Sequence, residues 1–241
     1  MAAQDILALI IVSFLSSTLT AIIGMGGGTL LISFMPLFLP PAALVPVHGV
    51  VQLASNASRA LFGFRDIAWH VFMPFAAGAL VGMAAGSRFV VRLPSRYILL
   101  ALACFILLVT WLPRTWFDRP LPGKFLTLGV AQGFLTLIVG ATGPLNPPFL
   151  LREGLKRDTI VVTQAVMMTA LHAMKVVTFG LLGFLFNPYI VLMGGMVVAV
   201  SLGSYAGTRL RERLPEEFFR KLFKAVITLL ALRMILSVLM A

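Results

Sequence analysis

Most of this sequence consists of apolar segments near 20 residues in length, separated by short connections that carry most of the charges. Hydrophobic residues make up 60% of the 241 residues and charged residues only 11%, whereas soluble domains are roughly 45–50% apolar and 25% charged. A helix needs roughly 20 mainly apolar residues to cross the hydrocarbon core of a bilayer. The sequence therefore predicts an all-α polytopic membrane protein.

The apolar segments predict about eight transmembrane helices and two shorter, interrupted elements. The shorter elements, at 29–39 and 145–151, each follow a glycine-rich break and contain or precede paired prolines, so we interpret them as half-helices. The predicted spans cover residues 6–23, 45–63, 69–90, 97–112, 125–139, 159–183, 189–205 and 219–239.

The order of these elements is the same in both halves of the chain. Seven of the thirteen residues at 82–94 recur at 203–215, which predicts two four-helix internal repeats, 1–113 and 124–241, within a single transmembrane domain. Four spans per half give repeats of the same direction unless a short element also crosses the bilayer, so parallel and inverted repeats both stay open. Glycine-broken segments at matching places in two halves point to a binding site between them.

Two of the predicted helices carry a face of polar side chains that share one side at 3.6 residues per turn. The first face consists of His48, Gln52, Ser55, Asn56 and Arg59. The matching face, 116 positions later, consists of Gln164, Met168, His172 and Lys175. An arginine at the centre of a bilayer costs roughly 2.5–3.5 kcal/mol on insertion scales. We therefore expect both faces to line a protein interior or a water-filled cavity.

No acidic residue falls inside a predicted span, because all eight Asp and Glu lie in loops or at a terminus. Arg59 and Lys175 are the charges placed away from helix ends, and a site with cations and amide donors but no carboxylate favours an anion. His48 and His172 are the candidates for proton transfer near neutral pH. Two histidines without acids or cysteines nearby make a poor metal site, so we expect neither a metal nor a cofactor.

The glycine-rich breaks at 24–28 and 140–143 can expose backbone N–H groups at the start of a half-helix, where the helix dipole favours an anion. Side chains beside the breaks add hydrogen-bond donors. The predicted substrate-binding residues are Gly26, Gly27, Gly28, His48, Gln52, Asn56, Arg59, Thr142, Gly143, Asn146, Gln164, His172 and Lys175.

Each of these features also has a purely structural interpretation. Arg59 and Lys175 can extend their charged ends toward the membrane surface while their aliphatic stems stay in the apolar region. His48 and His172 can be hydrogen-bonded packing residues, and the glycines can serve only to let helices approach closely.

The combined pattern resembles the sulfite exporter TauE/SafE family. It consists of Gly-x-Gly-Gly-Gly at 24–28, a short proline-containing element and a polar second span, repeated with divergence around 140–146, where Pro144 stands at the position of Gly28. The resemblance extends over nearly the whole chain. It implies a permease of the bacterial inner membrane that moves sulfur-containing anions such as sulfite, sulfoacetate and related sulfonates.

We therefore expect a small anion to bind near the midplane between the repeats and to cross by alternating access. An anion channel with the same lining is the first alternative. The second is an enzyme acting on an anionic lipid, for which the embedded residues provide no nucleophile and base together, so we predict no catalytic residue.

The expected partners are the small anion and the lipid bilayer. Most of the positive charge lies in short loops, which is the positive-inside pattern of membrane proteins and not a nucleic-acid surface. Twelve Lys and Arg in the loops after the third, fifth and seventh spans, against four on the other side, predict that both termini lie outside. The sequence leaves a monomer and a homodimer open.

Overall fold

The computed structural model describes residues 2–23, 26–61, 64–113, 123–210 and 216–240, and within these ranges the chain is helical with no strand. The all-α prediction is therefore confirmed. The helices are α1 (Ala3–Ile23), α2 (Gly27–Phe34), α3 (Pro41–Leu61), α4 (Trp69–Val90), α5 (Ser95–Trp111), α6 (Lys124–Val139), α7 (Pro147–Leu150), α8 (Arg157–Leu181), α9 (Ile190–Leu210) and α10 (Glu216–Leu239). Single 3₁₀ turns occur at Met35–Leu37, Phe64–Asp66, Gly143–Leu145 and Asn187–Tyr189.

Within the described residues, every predicted span coincides with one of these helices, and the two short elements fall on α2 and α7. Residues 62 and 63 of the second predicted span lie outside the described residues. Among the described helical segments, four are long and apolar enough to cross a membrane: Ala3–Ile22, Trp69–Val90, Arg157–Leu181 and Asn187–Leu210. The helix Lys124–Val139 has 16 residues, a length of about 24 Å at 1.5 Å per residue, which is short for a hydrocarbon core of about 30 Å. Eight complete spans therefore stay a prediction.

Helices α4 and α6 pack with their backbones in contact through glycines. A Cβ at Gly82 would overlap the carbonyl oxygen of Val130, and a Cβ at Gly86 would lie 3.0 Å from the carbonyl oxygen of Phe134. Such close approach between membrane helices is possible only where one side presents a very small residue. Since the residue numbers rise together in the two helices, α4 and α6 run parallel.

Helices α1 and α9 form a second pair of the same kind. A Cβ at Gly203 would overlap the carbonyl oxygen of Phe14, and one at Gly207 would overlap that of Thr18. This pair is also parallel.

The glycines of α4 at 78, 82 and 86, which are spaced by four, form the face that packs against α6, as their spacing indicates.

Helices α3 and α8 pack against each other and run in opposite directions. The rings of His48 and His172 lie with centroids 5.8 Å apart. At the other end, the N–H of Ala68, shortly after α3, donates to Thr163 Oγ1 near the start of α8, at 3.0 Å. Helix α5 packs against α10 and contributes Leu102, Ala103 and Ile106 to the buried core.

The segment between α6 and α8 returns to the end of the molecule at which α6 begins. Lys124, the first residue of α6, forms an ion pair with Glu153, four residues before α8 begins. Since α6 and α8 start at the same end, the intervening chain with its 3₁₀ turn and α7 runs back along α6. This path makes the segment a re-entrant element, in keeping with its interpretation as a half-helix.

Candidate functional site

The polar face of α3 is held in place largely by hydrogen bonds to backbone atoms. His48 Nε2 lies 2.8 Å from the carbonyl oxygen of Gly28, and a carbonyl only accepts, so Nε2 carries the proton. This bond connects α3 to the first turn of α2. Asn56 Nδ2 donates to the carbonyl oxygen of Gln52 at 2.7 Å. Both His48 and Asn56 are buried.

Arg59 is half-buried at the end of this face and is oriented by its own helix. Its Nε donates to the carbonyl oxygen of Ser55 at 3.2 Å, and a terminal N–H donates to Asn56 Oδ1 at 2.9 Å. A guanidinium has five N–H donors, so three remain for another partner. Among the described residues no carboxylate pairs with Arg59. The fixed guanidinium thus presents an uncompensated positive charge.

The face of α8 holds the second glycine break. Gln164 Nε2 donates to the carbonyl oxygen of Gly143 at 3.0 Å, and Lys175 Nζ donates to that of Gly140 at 2.8 Å. Lys175 is fully buried. Its Cε packs so closely on Gly49 that a Cβ there would lie 2.9 Å away. Lys175 therefore holds the backbone of the second glycine break in place through Gly140.

The two breaks differ in what they offer an anion. Gly26, with a φ of +95° that disfavours other residues, precedes the eight-residue helix α2, whose first N–H groups have no side-chain cap. The second break also turns at a positive φ, +71° at Gly140. It is followed by the four-residue helix α7, which begins with Pro147 and Pro148 and so lacks the first two N–H groups. The sequence predicted a helix N-terminus with free N–H groups after each break, and the structure has one only after the first.

A cavity of about 80 Å³ lies between the two polar faces and the glycine breaks. One water molecule needs roughly 10–15 Å³ by this measure, so the space holds several waters or a small polyatomic anion. Nine of the predicted binding residues line it: Gly26, Gly28, His48, Gln52, Asn56, Arg59, Gly143, Gln164 and His172.

Four of the predicted residues stand behind the cavity wall. Gly27 packs against Ser16 and Thr20 of α1, where a Cβ would overlap their oxygen atoms. Asn146 Oδ1 accepts a hydrogen bond from Gln132. Thr142 is buried, and Lys175 binds Gly140 as described. These four support the breaks without facing the cavity.

The cavity is also lined by two residues of α8 outside the predicted face, Val161 and Ala165. They lie on the same side of the helix as Gln164, Met168 and His172 at helical spacing. Extending that period without regard to polarity would have found them. Thr20 of α1 reaches the cavity through tertiary packing alone, and the sequence carries no signal for it.

Several buried polar atoms at the cavity have no hydrogen-bond partner within the described part of the chain. They are Thr29 Oγ1, His48 Nδ1, Gln164 Oε1 and His172 Nδ1. Buried polar groups in native proteins almost always have a partner, so these atoms are placed to meet water or a bound molecule. The described residues contain no group of three or more His, Cys, Asp or Glu that could hold a metal ion.

Residues 9–234 match the family described as Sulfite exporter TauE/SafE. The chain belongs to this family. TauE/SafE proteins are membrane transporters, and with its apolar helices this member is a multi-pass membrane transporter. No curated protein and no solved structure matches the chain.

Proposed function

We propose that this TauE/SafE protein carries a small anion, a sulfur oxyanion or an organosulfonate, across the bacterial inner membrane by alternating access. The binding site is the cavity between α3 and α8. The observation that carries this proposal is the guanidinium of Arg59, which lines the cavity with no carboxylate partner among the described residues. An uncompensated cation in such a setting favours an anionic ligand.

The other cavity groups fit the same ligand. Gln52 and Asn56 place amides beside Arg59, and the first turn of α2 adds backbone N–H groups with the favourable end of its dipole. Bound oxygens would accept from these donors, as sulfite and sulfonate oxygens can. Lys175 supports the site indirectly by fixing the Gly140 break.

Transport by alternating access is supported by matched packing in the two halves. Gly82 of α4 meets the backbone of Val130 in α6, and Gly203 of α9 meets that of Phe14 in α1. Gly203 lies 121 positions after Gly82, and Val130 lies 116 positions after Phe14. The same two offsets relate the Gly86–Phe134 and Gly207–Thr18 contacts. Each helix pair thus joins one helix of the first half to one helix of the second half, and residues at equivalent positions form the contacts in both pairs.

The repeats in this proposal are inverted. The matching helices α3 and α8 run in opposite directions, as their contacts at both ends indicate. The path between α6 and α8 supplies an additional crossing in the second half, and the repeat assigns the equivalent crossing in the first half to the segment between α1 and α3. Inverted repeats with a site at their interface are a common basis of alternating access in secondary transporters.

The same topology supports termini outside the cell. It assigns eight basic residues to the end marked by the Lys124–Glu153 ion pair: Arg65, Lys124, Arg152, Lys156, Arg157, Arg209, Lys221 and Lys224. The opposite end has Arg88, Arg92, Arg96 and, in the last part of α10, Arg233. By the positive-inside rule the first end is cytoplasmic. The loops after α3, α4 and α5 thus change side relative to the four-span count, while the termini stay outside.

The test is ligand-induced thermal stabilisation of the detergent-purified protein with sulfite, sulfate, thiosulfate, sulfoacetate, taurine and acetate. We expect at least one sulfur anion to raise the Tm, and Arg59→Gln to weaken its binding roughly 10- to 100-fold, as for a lost charged hydrogen bond. Arg92→Gln, which changes an exposed arginine, should bind as the wild type does. Stabilisation that persists in Arg59→Gln would contradict this site.

Transport itself separates the permease from the anion channel. In proteoliposomes loaded with the stabilising anion, a transporter gives saturable uptake and counterflow of labelled anion. Flux that rises linearly with concentration and shows no counterflow would favour the channel with the same lining.

A further inference from the structure

The two walls of the cavity differ in chemistry. The wall formed by α1, α2 and α3 consists only of polar residues and glycines, and we call it the polar wall. Its side chains are those of Thr20, Thr29, His48, Gln52, Asn56 and Arg59. Thr20 and His48 already donate to the carbonyl oxygens of Ser16 and Gly28, so the donors that this side offers to a group with several oxygen atoms are those of Thr29, Gln52, Asn56 and Arg59.

The opposite wall is formed by α8 and the second break, and most of its residues are apolar. They are Ala141, Pro144, Val161, Ala165 and Met168, which we call the apolar wall. The polar groups beside it are Gln164 and His172, and one N–H of Gln164 already donates to Gly143. An anion oxygen directed at this side meets few donors.

Met168 is the residue at which the two matching helix faces differ most. It lies 116 positions after Gln52 and so replaces an amide by a thioether at the equivalent place. Met168 is 4% exposed, and its Sδ would lie 3.3 Å from a Cβ at Gly143. The side chain of Met168 thus fills the space between α8 and the second glycine break, in the middle of the apolar wall.

The two walls discriminate between ligands. An oxygen that loses its donors on entering a buried site weakens binding roughly 5- to 150-fold, which opposes an anion with oxygens on every side. A methylene that leaves water for an apolar surface strengthens binding about fourfold. The cavity of about 80 Å³ has room for roughly five to eight heavy atoms at 10–15 Å³ each, the size of an anionic head with one or two carbons.

We propose that Met168 is a specificity-determining residue, which selects an anion with a short apolar substituent over an inorganic oxyanion. The anionic head lies on the polar wall beside Arg59, and the substituent lies on the apolar wall against Met168. This inference rests on the proposed function, because it concerns the ligand of the same cavity. A short-chain alkanesulfonate is the chemical class that fits both walls.

The experiment compares hydrogen sulfite, methanesulfonate and ethanesulfonate in binding to the purified full-length protein at mildly acidic pH, where all three carry a single charge. We expect affinity to rise about fourfold per carbon. In Met168→Gln, which restores the amide of the matching face, we expect that gain per carbon to disappear. Met168→Leu retains an apolar side chain and should keep the order of affinities.

The outcomes separate this inference from the proposed function. If wild-type protein binds hydrogen sulfite at least as tightly as ethanesulfonate, and Arg59→Gln weakens both, the site stands and the role of Met168 is overturned. The same conclusion follows if Met168→Gln folds and keeps the alkyl preference. If none of the anions binds to the wild type, both proposals fall. If the glutamine variant does not fold, the wild-type series still overturns the proposal when hydrogen sulfite binds at least as tightly as ethanesulfonate.

Discussion

Arg59 and Lys175 occupy equivalent places in two helices but have different roles in the structure. Arg59 lines the cavity and leaves guanidinium N–H groups for a ligand, whereas Lys175 is fully buried and uses its amine to bind the carbonyl oxygen of Gly140. A carbonyl at a chain break has no helical partner of its own. Lys175 therefore acts mainly on the shape of the site.

Replacing Lys175 by methionine, which keeps most of its volume, tests this role. A hydrogen bond from a charged donor contributes roughly 1.5–3 kcal/mol, and without Lys175 the carbonyl oxygen of Gly140 keeps only the 3.4 Å bond from Thr136 Oγ1. We therefore expect Lys175→Met to lower the Tm. Anion affinity should fall less than in Arg59→Gln. Lys156→Met, which changes an exposed lysine, serves as the control. A Tm equal to that of the wild type, together with complete loss of anion binding, would show that Lys175 contacts the ligand directly.

At the scale of helices, glycine-mediated packing builds the two rigid pairs around the site. In both α4–α6 and α1–α9 a glycine on one helix lies against the backbone of the next. No rotamer change can relieve a clash with backbone, so these positions exclude every larger residue. The paired helices form a frame in which α3 and α8 face each other.

Alanine at Gly82 should separate α4 from α6. Its Cβ would overlap the carbonyl oxygen of Val130, and we expect Gly82→Ala to reduce the yield of folded protein or to lower its Tm by several degrees. Gly194→Ala in α9 is the matched control, because no atom lies within 4 Å of that Cβ. An alanine there should be neutral or stabilise the helix by up to about 1 kcal/mol. Equal Tm values for the two variants would contradict the packing of α4 on α6.

At the scale of the whole molecule, the inverted arrangement predicts which loops are accessible from each side. Cysteines can be placed singly at Glu153 and Arg92 after replacing Cys104, the one cysteine of the chain. In intact cells an impermeant maleimide should label position 92 and leave position 153 unlabelled. Inside-out vesicles should give the reverse. Labelling of both positions from the same side would contradict the re-entrant path between α6 and α8.

The sequence by itself determined the class of protein and the positions of its helices. Long apolar segments admit helices in a bilayer, and the polar faces containing Arg59 and His172 were visible because side chains at helical spacing share a side. The absence of acids from these segments already indicated an anion. These properties depend on residues close together in the chain.

Only the tertiary structure decided which polar residues reach the cavity. Lys175 lies behind the wall because of how α8 packs on Gly49, and Thr20 lies on the wall because α1 packs beside α2. The apolar wall around Met168 also emerged only there, since an apolar residue in a membrane helix has the same appearance in sequence whether it meets lipid, protein or ligand. The rotation of each helix is set by contacts between residues far apart in the chain, and a local pattern does not contain them.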